Sequence, residues 1–289
     1  PSYTYPFGPR PAFPDPSQVG NQPVTVAQRN APPGFGVGLF EQVSNQEIAS
    51  RADPSDSDGD GISGRFNTDG QGNMGRFGYK LQANFLEAFL RGAINNQMGI
   101  TTDPFYGSSG IVSTGFMQVG ASFDNPTTDN DGVPDPEVSV EDFGDIVVFS
   151  QFVAPPPTGE MGAEELLGEE IFADLGCVKC HVPEIQSGFG PLAAYTDLLL
   201  HDMGPELADG ISMGMPQFSP ISPNTTGSEY RTQPLWGVSL HGPWLHDGRA
   251  DSLHDAIILH GGEAQSIREA YEALSAADQD AVIRFLEAL

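Results

Sequence analysis

The sequence predicts a mainly α-helical fold with long irregular loops for this chain of 289 residues. Apolar residues recur at helical spacing in a few short runs. The 35 glycines and 25 prolines favour ordered irregular segments around those runs over a compact helical bundle. The prolines from Pro155 to Pro157 cannot continue a helix, so we expect a domain boundary there. The predicted parts are a loop-rich N-terminal region, 1–157, and a second domain, 158–289.

The N-terminal region is predicted to hold three helices between irregular segments. Residues 1 to about 38 are rich in proline, glycine and aromatic residues, which indicates an extended surface arm. Ser44 or Asn45 would cap the first helix. The predicted helices are 39–51, a segment within 75–99, and 141–153. The residues expected to face the core are Leu81, Phe85, Leu86, Phe89, Leu90 and Ile94 in the second helix and Phe143, Ile146, Val147 and Phe149 in the third.

Two acidic loops in the N-terminal region have the spacing of calcium-binding loops. The first carries carboxylates at alternate positions before Gly61, which permits the sharp turn. Its twelfth position is Asn67 instead of a bidentate Glu, so a looser calcium loop is expected, and a solvated Asp/Gly turn is the alternative. The predicted calcium ligands are Asp56, Asp58, Asp60 and the carbonyl of Ile62, with Asp129, Asp131 and Asp135 of a second loop, DNDGVPD.

The second domain is predicted to begin with a helix, 163–175, that ends at Gly176. Directly after it stand Cys177, Cys180 and His181 in the sequence CVKCH. This spacing attaches a c-type haem, because the cysteines form thioethers and the adjacent histidine binds the iron. A zinc site would need a second pair of ligands, and a thioredoxin-like pair would follow a strand. We therefore expect one covalently attached haem c.

The order of elements around the motif is typical of a class I-like cytochrome c domain. Loops and a short helix follow CVKCH, and an amphipathic run near 266–289 predicts a terminal helix. The second iron ligand has to come from the remaining histidines or from a methionine. The candidates are His201, His241, His246, His254, His260, Met203, Met213 and Met215.

The charge of the chain limits the classes of partner. A formal net charge of −27 disfavours nucleic acid and anionic membrane surfaces, and favours a basic redox partner protein or metal cations. No apolar run approaches the roughly 18 residues that span a bilayer, so we do not expect the chain to be membrane-spanning. Haem c attachment takes place outside the cytoplasm in bacteria, which predicts a periplasmic or extracellular location.

Several segments resemble the di-haem oxidoreductase family, often described as thiol oxidoreductases, within the superfamily of bacterial di-haem cytochrome c peroxidases and MauG. In the second domain the resemblance is carried by GEEIFADLGCVKCHVPE, YTDLLLHDMGPELADG, EYRTQPLWGV and WLHDGRADSLHDAIILHGGEA. In the N-terminal region it is carried by NAPPGFGVGLFEQV, DPSDSDGDGISGR, GRFGYK and MGIT. The resemblance implies that the N-terminal region is itself derived from a cytochrome.

The resemblance also implies a set of haem-site residues. The family's distal ligand lies fourteen residues after the histidine of its HDG tripeptide, and counting from His246 leads to His260. Bis-histidine ligation by His181 and His260 is therefore expected, with Met203 as the alternative. Further residues are assigned from chemistry and not from the resemblance, because a guanidinium suits a haem propionate. Core packing and surface ion pairs are the alternatives for them. The residues assigned to the haem edge are Arg231, Trp236, Trp244, His246 and Arg249.

One departure from the family limits the functional prediction. Members usually carry two haem motifs, whereas this chain carries one, which corresponds to the second, electron-transferring haem. We therefore expect an extracytoplasmic electron-transfer protein. A functional di-haem peroxidase or oxidase is the alternative if another segment or chain supplies a second haem. A structural subunit with a non-catalytic haem is a third hypothesis.

Overall fold

The computed structural model describes residues 27–69, 72–102, 132–213 and 225–289, and four short strand segments outside them. The described chain is rich in helices, has small two-stranded sheets and contains long irregular loops, as the sequence predicts. The helices are α1 (Asn45–Ala49), α2 (Leu86–Ala93), α3 (Val140–Phe152), α4 (Ala163–Leu175), α5 (Leu253–Ile258), α6 (Gln265–Glu272) and α7 (Ala276–Ala288). None of the helices in these residues is long and apolar enough to cross a membrane.

The described residues also contain four antiparallel strand pairs. Each pair contains strands of only two or three residues. The pair formed by Leu200–Asp202 and Glu229–Arg231 lies beside the candidate site, with Leu200 opposite Arg231 and Asp202 opposite Glu229. The strands are β1 (Gln18–Val19), β2 (Gln22–Pro23), β3 (Tyr106–Gly107), β4 (Gly110–Ile111), β5 (Ile185–Ser187), β6 (Gly190–Leu192), β7 (Leu200–Asp202) and β8 (Glu229–Arg231).

The helix predictions are confirmed unevenly. Helix α4 has the predicted bounds, and Ser44 caps α1 by accepting a hydrogen bond from the Glu47 amide. A helix does lie within 75–99, but it begins only at Leu86, so Leu81, which has a positive φ angle, is not part of the predicted helical face. The single terminal helix is also wrong, because Ser275 caps a new helix, α7, after α6 has ended.

Helix α3 has the predicted position but not the predicted buried face. Phe143 is buried, whereas Ile146 is 38% exposed and Phe149 is 72% exposed. The exposed face also carries Phe152, which is 81% exposed. The periodicity identified the helix correctly but assigned two of its apolar residues to the core wrongly.

Two groups of buried apolar side chains form the core. The first contains Phe40 and Phe77 from the N-terminal region together with Ile185, Leu198 and Trp236 from the second. Because this group draws side chains from both sides of Pro155 to Pro157, the two predicted domains share a core, and the boundary at 157 stays a prediction. The second group includes Phe172, Trp244, Tyr271, Phe285 and Leu286.

The second group forms where α4 crosses α7. Gly168 permits the close approach, because a Cβ atom there would lie 2.0 Å from the carbonyl oxygen of Ala281. Phe172 packs against Phe285 with ring centroids 5.3 Å apart. This contact fixes the end of α4, and therefore the start of the CVKCH segment, against the terminal helix.

Candidate haem site

Helix α4 delivers the CVKCH segment to the surface of a cavity. Gly176 ends the helix with φ 94°, a left-handed conformation that glycine adopts readily. Residues Cys177–Lys179 form one turn of 3-10 helix, and the amide of His181 donates to the carbonyl of Cys177 at 2.9 Å. The tight turn places both cysteines and the histidine on the cavity wall.

The cavity has a volume of about 230 Å³, and most of its lining is apolar. Its apolar lining residues include Phe172, Leu253, Ile257 and Leu286. The lining includes residues of α4, α5, α6, α7, β7 and β8 as well as residues of the connecting segments. Such a concave, apolar surface with few polar groups is typical of a cofactor site.

Both thiols are free and partly buried. Burial raises the pKa of Cys177 to about 12, so that its thiol is neutral at physiological pH. The Sγ atom of Cys180 lies 3.7 Å from Nδ1 of His201. No disulfide joins the two described cysteines, so both sulfur atoms are available for thioether bonds.

His181 is fixed by a backbone carbonyl. Its Nδ1 atom lies 3.0 Å from the carbonyl oxygen of Tyr195, a residue with positive φ. Burial lowers the pKa of His181 to about 4, which favours the neutral imidazole. A neutral ring that donates through Nδ1 presents its Nε2 lone pair for a metal.

His260 has the same arrangement. It follows α5, and its Nδ1 atom lies 2.6 Å from the carbonyl oxygen of Ala256. Burial lowers the pKa of His260 as well. Within the described part of the chain, Nε2 of neither His181 nor His260 makes a hydrogen bond. Two histidines with tethered Nδ1 atoms therefore face one apolar cavity, and this donor set fits iron.

Met203 also lines this cavity. It directly follows β7, and its amide donates to the carbonyl of Ser228 at 2.9 Å. The segment after His260 packs against it, since a Cβ atom on Gly261 would lie 2.9 Å from the carbonyl oxygen of Met203. The structure thus brings His181, His260 and Met203 to one cavity, and the choice of second ligand stays a prediction.

Arg231 is the best-placed residue for binding an anionic group. Its side chain is buried, and its guanidinium donates to the carbonyl of Arg76 at 2.9 Å and to Oε1 of Gln233 at 2.7 Å. Its Nε atom is buried without a partner, and no described carboxylate forms an ion pair with it. Burial lowers the pKa of Arg231 to about 10. An uncompensated guanidinium on the cavity wall suits a haem propionate.

Two of the other residues predicted at the haem edge line the cavity. Trp244 is held by a hydrogen bond from Nε1 to the carbonyl of Val238 at 2.9 Å. His246 stacks on Tyr230 with ring centroids 4.0 Å apart, and burial lowers its pKa to about 4. Both side chains thus present ring surface to the cavity in fixed orientations.

The two remaining predicted edge residues do not belong to the described lining of the cavity. Trp236 stacks on Phe40 in the first core group, with ring centroids 5.2 Å apart. Arg249 is bound at the surface, where its Nε atom lies 2.6 Å from Oδ2 of Asp247 and an NH1 hydrogen bond reaches Glu206. Trp236 therefore packs in the core, and Arg249 forms a surface ion pair. These positions match the alternatives to the haem edge.

His201 lines the cavity and contacts Glu263 beside it. Sequence reasoning considered His201 only as a candidate iron ligand and gave Glu263 no role. Burial lowers the pKa of His201. The hydrogen bond and the charge of Asp197 outweigh this effect and raise the pKa well above its ordinary value. Glu263 accepts from His201 on the other side, at 2.9 Å. The four-residue spacing of Asp197 and His201 could have indicated a contact between them. Glu263 lies 62 positions from His201, and nothing in the sequence indicated that contact.

The first acidic loop brings its three carboxylates together. One oxygen atom from each of Asp56, Asp58 and Asp60 lies within 4.8 Å of the other two. The amide of Gly61 donates to the Asp56 carboxylate, and Lys179 forms an ion pair with Asp60 at 3.0 Å. The loop therefore contacts the haem motif directly. Asn67 is buried and donates to the carbonyl of Lys80, away from the loop.

The second acidic loop is described only in part. Asp129 and Asp131 lie outside the described residues, so their predicted role in calcium binding stays a prediction. Asp135 accepts a hydrogen bond from the hydroxyl of Thr101.

Comparison with known proteins places these features in a family. The family model described as "di-haem oxidoreductase, putative peroxidase" matches residues 14–289. The methylamine utilization protein MauG of Methylorubrum extorquens is 31% identical over 107 residues, which cover 36% of this chain and 27% of MauG. The matched segment thus spans about a quarter of that relative's length.

Two solved structures resemble the chain at low sequence identity. Hydrazine synthase of Kuenenia stuttgartiensis has 15% identity and a TM-score of 0.38, covering 97% of this chain and 100% of that one. A MauG-like protein associated with microbial copper homeostasis has 15% identity and a TM-score of 0.43, covering 94% and 95%. On the strength of the family match over most of its length, this chain belongs to the di-haem oxidoreductase family, a family of haem-based redox proteins.

Proposed function

We propose that this protein is an extracytoplasmic electron-transfer protein with one covalently attached haem c. The observation that carries the proposal is the convergence of Cys177, Cys180, His181 and His260 on one apolar cavity. When bound, haem c would supply a one-electron iron couple. No separate substrate pocket is required for that function, because the protein has only to set the ligands, burial and partner surface of the iron.

In this proposal each group of side chains has a separate role. Cys177 and Cys180 hold the porphyrin, and His181 and His260 bind the iron through Nε2. Bis-histidine ligation favours a lower reduction potential than histidine–methionine ligation, because a thioether favours ferrous iron. Arg231 holds a propionate, and Trp244 and His246 enclose the haem edge. Residues 158–289 would then form a class I-like cytochrome c domain.

The distribution of charge supports a basic redox partner. The 87 residues from Gly92 to Val178 contain 15 Asp and Glu residues and no Lys, Arg or His. In this stretch, α4 exposes Leu166 and Leu167, 52% and 45% accessible, next to Glu164 and Glu170. Apolar side chains within an acidic surface, on the helix that leads into CVKCH, would suit a cationic electron carrier.

The electron-transfer role is tested by spectroscopy of the protein produced with haem c. We expect a six-coordinate, low-spin iron that neither turns over peroxide nor binds cyanide readily. Electron exchange with a basic cytochrome should slow steeply as ionic strength rises, whereas exchange with an acidic one should quicken. A high-spin iron with peroxide turnover would reject the electron-transfer role.

A peroxidase function is the second proposal, and membership in the di-haem oxidoreductase family favours it. It requires a second haem from another segment or another chain, because this sequence contains one CxxCH motif. Peroxide turnover that appears only in a particle with two haems would support it. We also propose that the loop of Asp56, Asp58 and Asp60 binds calcium, which its convergent carboxylates support.

A further inference from the structure

His201 is held at both ring nitrogen atoms by carboxylates. Its Nε2 atom lies 2.8 Å from Oδ2 of Asp197, and its Nδ1 atom lies 2.9 Å from Oε2 of Glu263. The side chains of His201 and Asp197 are almost fully buried, at 5% and 3% exposure. Since an ionised carboxylate only accepts hydrogen bonds, both ring nitrogens act as donors and the imidazole carries a positive charge.

The two carboxylates belong to the two segments that position the haem-facing histidines. Asp197 lies two residues after Tyr195, whose carbonyl oxygen holds the ring of His181. Glu263 lies three residues after His260. His201 therefore connects the support of one proposed iron ligand to the segment that carries the other. It also contacts Cys180, whose Sγ atom is 3.7 Å away.

The surroundings leave His201 little freedom to move. Gly64 lies against the ring, since a Cβ atom at that position would be 2.9 Å from Cε1 of His201. Ser63 holds Glu263 through its amide at 3.0 Å and its hydroxyl at 2.5 Å. The amide of Leu199 donates to Oδ1 of Asp197 at 2.9 Å. Each carboxylate is thus fixed by a backbone amide as well as by the imidazole.

Two buried carboxylates beside the haem cavity would repel each other without the cation between them. A hydrophobic replacement of His201 would therefore loosen both segments at once. An ordinary structural ion pair would fix only its own side chains. The Asp197–His201–Glu263 connection also fixes the segments that position His181 and His260, which face the cavity.

We propose that His201 is a positioning residue that fixes the spacing of His181 and His260 by joining Asp197 to Glu263. The proposal rests on the haem site proposed above. It assigns His201 no contact with iron and no role in electron transfer itself. Its consequence is that weakening the Asp197–His201–Glu263 connection loosens the second axial ligand while the thioether bonds stay intact.

The test compares the holoprotein with His201→Gln, and with His254→Gln as a matched control. His254 lies outside the cavity lining, and its Nδ1 atom is 3.0 Å from the hydroxyl of Tyr271. We expect His201→Gln to retain covalent haem, to show a new high-spin fraction and to bind cyanide at least tenfold more tightly than wild type. His254→Gln should keep the wild-type spectrum.

A second pair of variants covers the case in which His201→Gln does not fold. Glu263→Gln keeps an oxygen acceptor for His201, whereas Glu263→Ala removes it. The proposal predicts a larger high-spin fraction in Glu263→Ala than in Glu263→Gln. Wild-type spectra and cyanide affinity in folded His201→Gln, or in both Glu263 variants, would overturn it. A wild-type protein without low-spin haem would instead reject the proposed haem site.

Discussion

The Nδ1 atom of His181 lies 3.0 Å from the carbonyl oxygen of Tyr195, fourteen residues further along the chain. This contact favours the proton on Nδ1, so Nε2 keeps its lone pair on a ring that lines the cavity. His260 repeats the arrangement with Ala256, at 2.6 Å. Two imidazoles with fixed Nδ1 atoms are thus the proposed iron ligands.

The choice of second iron ligand can be tested by substitution. We expect His260→Ala to leave covalent haem attached but to convert the iron to a high-spin form with an open position. Met203→Ala is the matched variant, because both side chains line the cavity. It should keep the low-spin spectrum. Optical and electron paramagnetic resonance spectra measure both, and the reverse pattern would assign the ligand to Met203.

Replacing Arg231 should change the reduction potential of the haem. Arg231→Leu removes a buried positive charge from the cavity, which makes the ferrous state less favourable. We expect the midpoint potential to fall by on the order of 60 mV, a tenfold change in a one-electron equilibrium. Arg249→Leu, at the surface position bound to Asp247, is the control. Equal potentials in both variants would show that Arg231 does not interact with the haem propionates.

Calcium should stabilise the protein through the first acidic loop. Calcium at about 100 times its dissociation constant would add about 2.7 kcal/mol to the free energy of unfolding. In a protein of this size that should raise Tm by on the order of 5 °C. Asp58→Asn should abolish the rise, while Asp145→Asn on the exposed face of α3 should preserve it. A Tm unaffected by calcium and by chelator would count against the calcium site.

The His201–Glu263 pair should give the stability of the protein a defined pH dependence. Burial raises the pKa of Glu263. Hydrogen bonds from His201 and Ser63 outweigh this effect and lower the pKa from 4.5 to about 2. A lowered carboxyl pKa stabilises the fold above pH 4.5, and this contribution is lost as pH falls towards 2. The raised pKa of His201 stabilises the fold below pH 6.5, and this contribution is lost as pH rises through the folded-state value.

Thermal unfolding across pH measures this contribution. We expect Glu263→Gln to lower the free energy of unfolding near pH 6 by about 2 kcal/mol, because a charged hydrogen bond is lost. The variant should also lose less stability than wild type between pH 4.5 and 2. Glu170→Gln, an exposed position on α4, should follow the wild-type curve. If the free energies of unfolding of wild type and Glu263→Gln changed in parallel with pH, the proposed contribution of the His201–Glu263 pair would be wrong.

The parts of the site that local chemistry determines could be predicted from the sequence. CVKCH is a covalent motif, and α4 has clear local signals, since a helical run ends at Gly176 in a left-handed conformation. The position of His260 came from a family spacing, and the structure places that residue on the same cavity as His181. The motif and α4 depend on local sequence, whereas the approach of His260 to His181 was predicted only through the family spacing.

The features that were missed depend on distant parts of the chain. Glu263 meets His201 across 62 positions, and Ser63 meets Glu263 across 200. Trp236 was placed at the haem edge from its neighbours in sequence, but its indole stacks on Phe40. Phe149 has helical spacing and was assigned to the core, yet it is 72% exposed because no described element covers that face of α3. Periodicity identifies a helix but not what covers it.

Every other assignment at this site depends on one covalently attached haem c at Cys177 and Cys180. The most direct test is the intact mass of the denatured chain, produced in cells that attach haem c, together with the haem count of the assembled particle. We predict a mass increase of one haem per chain, absent in the Cys177→Ala/Cys180→Ala variant. An unmodified wild-type mass under conditions that mature a reference cytochrome c would contradict the account.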